Sequence, residues 1–171
     1  VNPWRVHRLV GPDVGQKMNT MKVTELIESD LEALAGLYKQ FWGEDSSLEK
    51  MHATFQSLRT NPNYIFLVAR RDGRLAGSVM GIVCEELYGE CKPFMVVEDV
   101  IVDQNHRRQG VGSLLMRELE RLAISRDCAY IIFVTEQDRT TAHQFYESLG
   151  YNPDKYRGFK KRLGGGQQLH P

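Results

Sequence analysis

Phe94-Met95-Val96-Val97-Glu98-Asp99-Val100-Ile101-Val102-Asp103 runs through Gln104-Asn105-His106 into Arg107-Arg108-Gln109-Gly110-Val111-Gly112-Ser113, and this passage sets the architecture of the chain. Its first part is apolar on both faces apart from the Glu98-Asp99 pair, which predicts a central strand over residues 93–103, covered on both sides. Its last part heads an amphipathic run over residues 110–127. There Val111, Leu115, Leu119 and Leu122 form one stripe and Arg117, Glu118, Glu120 and Arg121 lie largely opposite, the pattern of a long helix. A strand, a turn with two glycines and a helix start bring together unpaired backbone N–H groups and the positive end of a helix dipole, which suits a phosphate. By itself the glycine pair fits a tight strand-to-helix turn equally well. The spacing is neither the dinucleotide fingerprint nor the Walker loop, since there is no third glycine at the required place and no Gly-Lys-Ser/Thr.

Outward from this unit, strand-like and helix-like segments alternate. Residues 21–28 read as a strand, and Ser29-Asp30-Leu31-Glu32 has capping-box spacing ahead of a helix carrying Leu31, Leu34, Tyr38 and Phe41 on one face. Residues 46–49 repeat the start signal, and Met51, Phe55 and Leu58 continue a second helix that Asn61-Pro62 stops. Asp72-Gly73 between residues 64–70 and 75–84 predicts a hairpin. Downstream, residues 130–134 predict a short buried strand, 140–149 a helix closed by Gly150, and 156–163 a last strand. The order β-α-α-β-β-β-α-β-α-β is a mixed α/β (α+β) layer architecture. One domain is expected over residues 21–163, with a flexible tail at 164–171. Residues 1–20 mix Pro, Gly and Arg without period, and Met18 and Met21 each offer an original start, so this segment is expected to be flexible or partly added to the natural chain.

Composition excludes several classes. The 22 Lys and Arg residues balance the 22 Asp and Glu residues, which argues against nucleic acid or an anionic membrane as partner. No apolar run approaches membrane-spanning length and no signal peptide is evident, so a cytoplasmic protein is expected. Cys84, Cys91 and Cys128, an odd number without Cys-x-x-Cys spacing, read as reduced thiols, and no metal site is expected.

The run Arg107, Gly110, Gly112 resembles the Gln/Arg-x-x-Gly-x-Gly/Ala signature of the GNAT superfamily of acetyl-CoA-dependent N-acetyltransferases, and the strand ahead of it and Phe145-Tyr146-Glu147-Ser148-Leu149-Gly150-Tyr151 extend the resemblance over residues 64–163. That resemblance implies a central, mostly antiparallel mixed and twisted sheet, helices on both faces, and a fourth and a fifth strand that splay apart. It implies acetyl-CoA as cosubstrate, its pyrophosphate over the amides of Arg107, Arg108, Gln109, Gly110, Val111, Gly112 and Ser113, and its pantetheine alongside Val100, Ile101 and Val102. Many members are homodimers, so a homodimer stays open here.

Glu98 interrupts what reads as an apolar face of Phe94, Val96, Val100 and Val102, and a buried carboxylate normally has a partner or a task. Acetylating an amine requires its neutral form, whereas an alkylammonium of pKa ~10 is protonated at pH 7, so a positioned base is needed and Glu98 is the candidate. A salt bridge to a neighbouring element is the competing reading. Asp99 falls on the opposite face of a regular strand, and on the same face only if a bulge intervenes. The resemblance implies that Tyr146 protonates the departing CoA thiolate. Seven residues before that tyrosine many family members carry an asparagine that contacts pantetheine, and this chain has Arg139, read as a cofactor contact or a solvated residue. His52, His106 and His143 read as solvated or packing histidines. The basic cluster of Lys155, Arg157, Lys160, Lys161 and Arg162 suits either CoA phosphates or plain solvation.

The expected reaction is direct acetyl transfer to a primary amine of a small molecule or peptide, with amino sugars and aminoglycosides as an alternative acceptor class. A non-catalytic acyl-CoA sensor is the alternative outside enzymes. Glu85, Glu86 and Glu90 favour a cationic acceptor by local charge.

Overall fold

β1 (Met21–Glu25), α1 (Leu31–Trp42), α2 (Leu48–Leu58), β2 (Tyr64–Arg71), β3 (Arg74–Cys84), β4 (Phe94–Val102), α3 (Val111–Ser125), β5 (Ile131–Ile132) and α4 (Thr140–Ser148) follow one another in residues 21–163, the part of the chain that the computed structural model describes. The expectations for residues 1–20 and 164–171 lie outside the described residues. The strands form one sheet in the order β1-β2-β3-β4-β5, antiparallel except for the parallel β4–β5 pair. The mixed, mostly antiparallel sheet is therefore as expected. Asp72 and Gly73 take φ of 51° and 78°, the left-handed pair that a two-residue hairpin between β2 and β3 requires.

Strand alternation separates two cores. Leu67 and Ala69 of β2 join Val79, Val83, Met95 and Val97 under Val111, Leu115, Met116 and Leu119 of α3. Val68, between them, faces the other way, where Leu26, Leu31, Leu34 and Phe55 close a second cluster under α1 and α2. Helices thus cover both faces, and burial of the α3 stripe, at roughly 1.5–3 kcal/mol per large side chain, is the main force that seats it.

Four expectations are corrected. β1 ends at Glu25, and Glu28–Asp30 form a single 3-10 turn, because the buried Asp30 carboxylate accepts from the Ile27 N–H at 2.9 Å and pairs with Arg70. Ser29 is consequently not the cap of α1; Asp30 precedes it, with no side-chain cap bond. The strand expected over 130–134 keeps only Ile131 and Ile132, since pairing to β4 stops at Val96↔Ile132. Residues 156–163 form no strand. Read with period two, neither face of that segment is apolar: Tyr156 and Gly158 alternate with Lys160 and Arg162 on one face, and Phe159 and Leu163 with Arg157 and Lys161 on the other, so pairing would bury no continuous stripe.

Candidate active site

β4 is not a regular strand. Met80 pairs with Glu98 but Ser78 pairs with Ile101, so Asp99 and Val100 together oppose Val79 alone, and Asp99 takes φ 55°. This is a β-bulge, and a left-handed aspartate is one of the few non-glycine residues that tolerates such a position. The bulge reverses the alternation. Met95 and Val97 face α3 before it, while Val100 and Val102 face α3 after it. The apolar face expected around Glu98 is therefore split, and Glu98 itself is exposed. Glu98 and Asp99 become neighbours on the side of α1, where the Tyr38 hydroxyl donates to Asp99 Oδ2 at 3.4 Å.

Beyond Val96↔Ile132 the two strands part, and the gap is a cleft of about 240 Å³. One wall is Val97 to Ile101, and the other is Phe133 to Glu136 with Arg139 and Tyr146. Phe41 and Trp42, at the end of α1, close it on the side of the carboxylates. The cleft thus brings together Glu98, Val100, Ile101, Arg139 and Tyr146 of the residues read from sequence. It does not include Val102 or any of residues 107–113, which follow at the far end of β4. Nor does it include Glu85, Glu86 or Glu90, so the loop that favoured a cationic acceptor by charge does not line the site.

The electrostatics differ from group to group. Burial pushes the Asp99 carboxyl above its usual range, while the Tyr38 hydrogen bond and the charge of Lys160 pull it back. The Tyr38 phenol is raised by burial and by the Asp99 charge. Burial also raises Tyr146, and the nearby Arg139 charge opposes that shift. Tyr146 sits in an aromatic cluster, its ring centroid 4.4 Å from Phe133 and 5.0 Å from Phe145. Arg139 lays its guanidinium 4.6 Å from the centre of the Phe41 ring.

At the start of α3, Gly110 is the N-cap with φ 82°, and a Cβ there would meet nothing within 4 Å. The first bond of the helix returns from Leu114 N–H to Gly110 O, so the Val111, Gly112 and Ser113 N–H groups precede the intrahelical ladder. Val111 is fully buried and anchors the helix start in the core. Gly112 serves packing: a Cβ would lie 3.0 Å from Phe145 Cζ and 3.6 Å from Val102 Cγ2. Gln109 uses its side chain within the fold, donating to Asn105 O and accepting from Arg71, and Arg107 Nε reaches Val102 O at 3.4 Å.

Sequence reasoning did not single out Tyr38, Trp42 or Thr135 for the site. Thr135 Oγ1 is buried in the cleft wall with no hydrogen-bond partner. Only the fold reveals it, since a lone threonine after a short strand carries no signal. Each of the three histidines has a hydrogen-bond partner: His52 meets Glu28, His106 meets Asp103, and His143 meets Glu136 O.

A sheet that opens between a bulged central strand and its parallel neighbour, followed by a glycine-started helix, defines an acyl-CoA N-acyltransferase architecture. The sequence model of the Acetyltransferase (GNAT) family matches residues 31–151, and the chain belongs to that family. A Bacillus subtilis relative described as the uncharacterized N-acetyltransferase YhfO is 24% identical over 142 residues, covering 78% of this chain and 91% of its own. Among solved structures, a putative acetyltransferase from Agrobacterium tumefaciens superimposes with a TM-score of 0.78 at 22% identity, covering 83% of this chain and 99% of that one. An aminoglycoside N-acetyltransferase in complex with CoA superimposes with a TM-score of 0.69 at 20% identity, covering 84% and 96%. The chain is accordingly an N-acyltransferase of the GNAT family, for which acetyl-CoA is the implied cosubstrate.

The residues present fit that cosubstrate. The β4 edge beyond Val96 has no β5 partner and faces the cleft, Thr135 offers an orphan hydroxyl beside it, and next to the open side of Gly110 the partly exposed Gly112 and Ser113 put N–H groups ahead of the intrahelical ladder. Among the described residues no helix is long and apolar enough to cross a membrane, and no group of three or more His, Cys, Asp or Glu residues is placed to hold a metal.

Proposed function

We propose that the protein transfers an acetyl group from acetyl-CoA to a primary amine by direct attack of the amine on the thioester. The observation that carries this reading is the bulge, which sets Glu98 and Asp99 side by side in the cleft that also holds Tyr146. Val100, Ile101 and Val102 lie alongside the pantetheine arm, and the amides of residues 107–113 take the pyrophosphate.

Asp99, desolvated and held by Tyr38, attracts the ammonium form of the acceptor into the cleft. Glu98 is exposed and has no side-chain hydrogen bond or ion pair among the described residues, so it is free to take the ammonium proton, directly or through a water, and pass it to solvent. The neutral amine then forms the C–N bond; the proton that leaves the positively charged nitrogen of the tetrahedral adduct goes to Glu98, by then unloaded to solvent, or to water, and the C–S bond breaks as the adduct collapses to the amide. The thiolate leaves toward Tyr146, whose phenol supplies or shares the proton and recovers it from solvent; position matters more than driving force because a phenol of pKa ~10 is the weaker acid of the two. No cysteine lines the cleft, in keeping with transfer without an acyl-enzyme.

Steady-state thiol release from acetyl-CoA across a library of primary amines, with the acetylated product identified by mass, tests the reading. Turnover with at least one amine is expected. CoA binding without turnover on any amine would instead identify a sensor.

A further inference from the structure

We infer that the acceptor is a zwitterion, a primary amine that also bears a carboxylate or phosphate, and that Arg139 binds this anionic group while the amine faces Glu98 and Asp99. The inference rests on the acetyl-transfer reading and names its acceptor class.

The argument starts from the charges of the cleft. Its lining carries three carboxylates, Glu98, Asp99 and Glu136, but also two cations, Arg139 and Lys160. An acceptor that is only a cation needs the carboxylates and would be repelled by the cations. A guanidinium within the same small cleft is therefore a mark against polyamines and polycationic sugars, although an aminoglycoside acetyltransferase shares the fold. An acceptor carrying both signs uses both walls.

Arg139 forms a long ion pair with Glu136 but no hydrogen bond to it, which leaves its N–H groups open to a second anion. Its nearest carboxylate, Glu136 Oε2, lies 3.9 Å from Nη1, beyond hydrogen-bonding distance. Its side chain is 39% exposed, and its guanidinium lies against Phe41 of α1. A ring contact consumes no N–H donor, so the guanidinium fork stays available to a carboxylate or phosphate, which arginine recognises in bidentate fashion. The contact also fixes the direction of the charge. Phe41 belongs to the helix that supplies Tyr38 to Asp99, so α1 braces the cationic and the anionic parts of the cleft together. The pyrophosphate loop, by contrast, lies outside this lining, which separates Arg139 from the place where the cofactor's own phosphates are expected.

The test is steady-state thiol release by the full chain with matched acceptors that differ in one charge: an amino acid against its amide, and glucosamine 6-phosphate against glucosamine. The two pairs distinguish a carboxylate from a phosphate as the bound anion. The anion-bearing member of at least one pair is expected to have kcat/KM about tenfold higher, the scale of a desolvated charge-assisted hydrogen bond. Arg139→Gln should collapse that ratio toward one by raising KM, and Arg139→Lys should restore part of it. Calorimetric CoA affinity in both variants serves as the folding control and is expected to match wild type. Equal use of both members in both pairs, or a preference that survives Arg139→Gln, overturns the inference alone. A loss of CoA affinity that slows all acceptors equally returns Arg139 to the cofactor and also overturns it. Absence of thiol release with every amine, while CoA still binds, overturns the transfer reading and this inference together.

Discussion

The Tyr38 hydroxyl meets Asp99 Oδ2 at 3.4 Å, joining the first helix to the bulge of the central strand across 61 residues of sequence. Burial raises the Asp99 carboxyl, so the folded state favours the protonated form more than the unfolded chain does. The stability associated with this group is present below the ordinary value of 3.8 and is lost as pH rises through the folded-state value. Asp99→Asn should therefore raise Tm relative to wild type at pH 7, with the difference shrinking below pH ~4. The same variant should raise the acceptor KM. Thermal scans between pH 3 and 7 check the first outcome, and an Asn variant that is equally less stable than wild type at every pH would show that the carboxylate is not under desolvation stress.

Glu98 and Asp99 are expected to separate kinetically. Glu98→Gln should lower kcat by roughly 10²-fold, the scale of a lost general base, and recover part of the rate at high pH where free amine is abundant. A profile parallel to wild type from about pH 6 to 10, at nearly equal rate, assigns Glu98 a structural role.

Tyr146→Phe should keep CoA affinity and lower turnover, as expected for a group engaged mainly while the thiolate leaves. The Phe133 and Phe145 contacts of the ring survive the substitution, so Tm should change little. Unchanged single-turnover rates of chemistry would leave Tyr146 as a packing residue.

The two glycines at the start of α3 should respond differently. Gly110→Asp keeps the fold, because space is open there and aspartate tolerates the left-handed φ of 82°, yet it should abolish CoA binding by placing a negative charge in the phosphate cradle. Gly112→Ala drives a methyl to 3.0 Å from Phe145 Cζ and should cost about 1–3 kcal/mol of stability, partly restored by Phe145→Leu. Calorimetry and denaturant titration read the two effects apart.

The amino-acid sequence determined those features whose cause is local. Asp72-Gly73 dictates the hairpin because its residues accept positive φ, and the stripe of Val111, Leu115 and Leu119 dictates α3 because its period matches one helix face. The Arg107 to Gly112 run carried the family resemblance and the expected cofactor end for the same reason, since the first amides of a helix lack intrahelical acceptors wherever the helix lies. Tertiary structure decided the rest. Period two placed Glu98 on an apolar face, but pairing with β3 inserts a bulge at Asp99, moves the alternation by one residue, and leaves Glu98 exposed with Asp99 half-buried beside it. Tyr38 and Phe41 read as one helix face with Leu31 and Leu34; only the docking of α1 on the sheet brings Tyr38 to Asp99 and Phe41 to Arg139. The last segment carries strand-like residue types but no apolar face to bury, and strand propensity without burial does not order a strand. A strand's pattern is written in its own residues, whereas its register and the depth of each carboxylate are set by neighbours far along the chain, and there the chemistry of this site was decided.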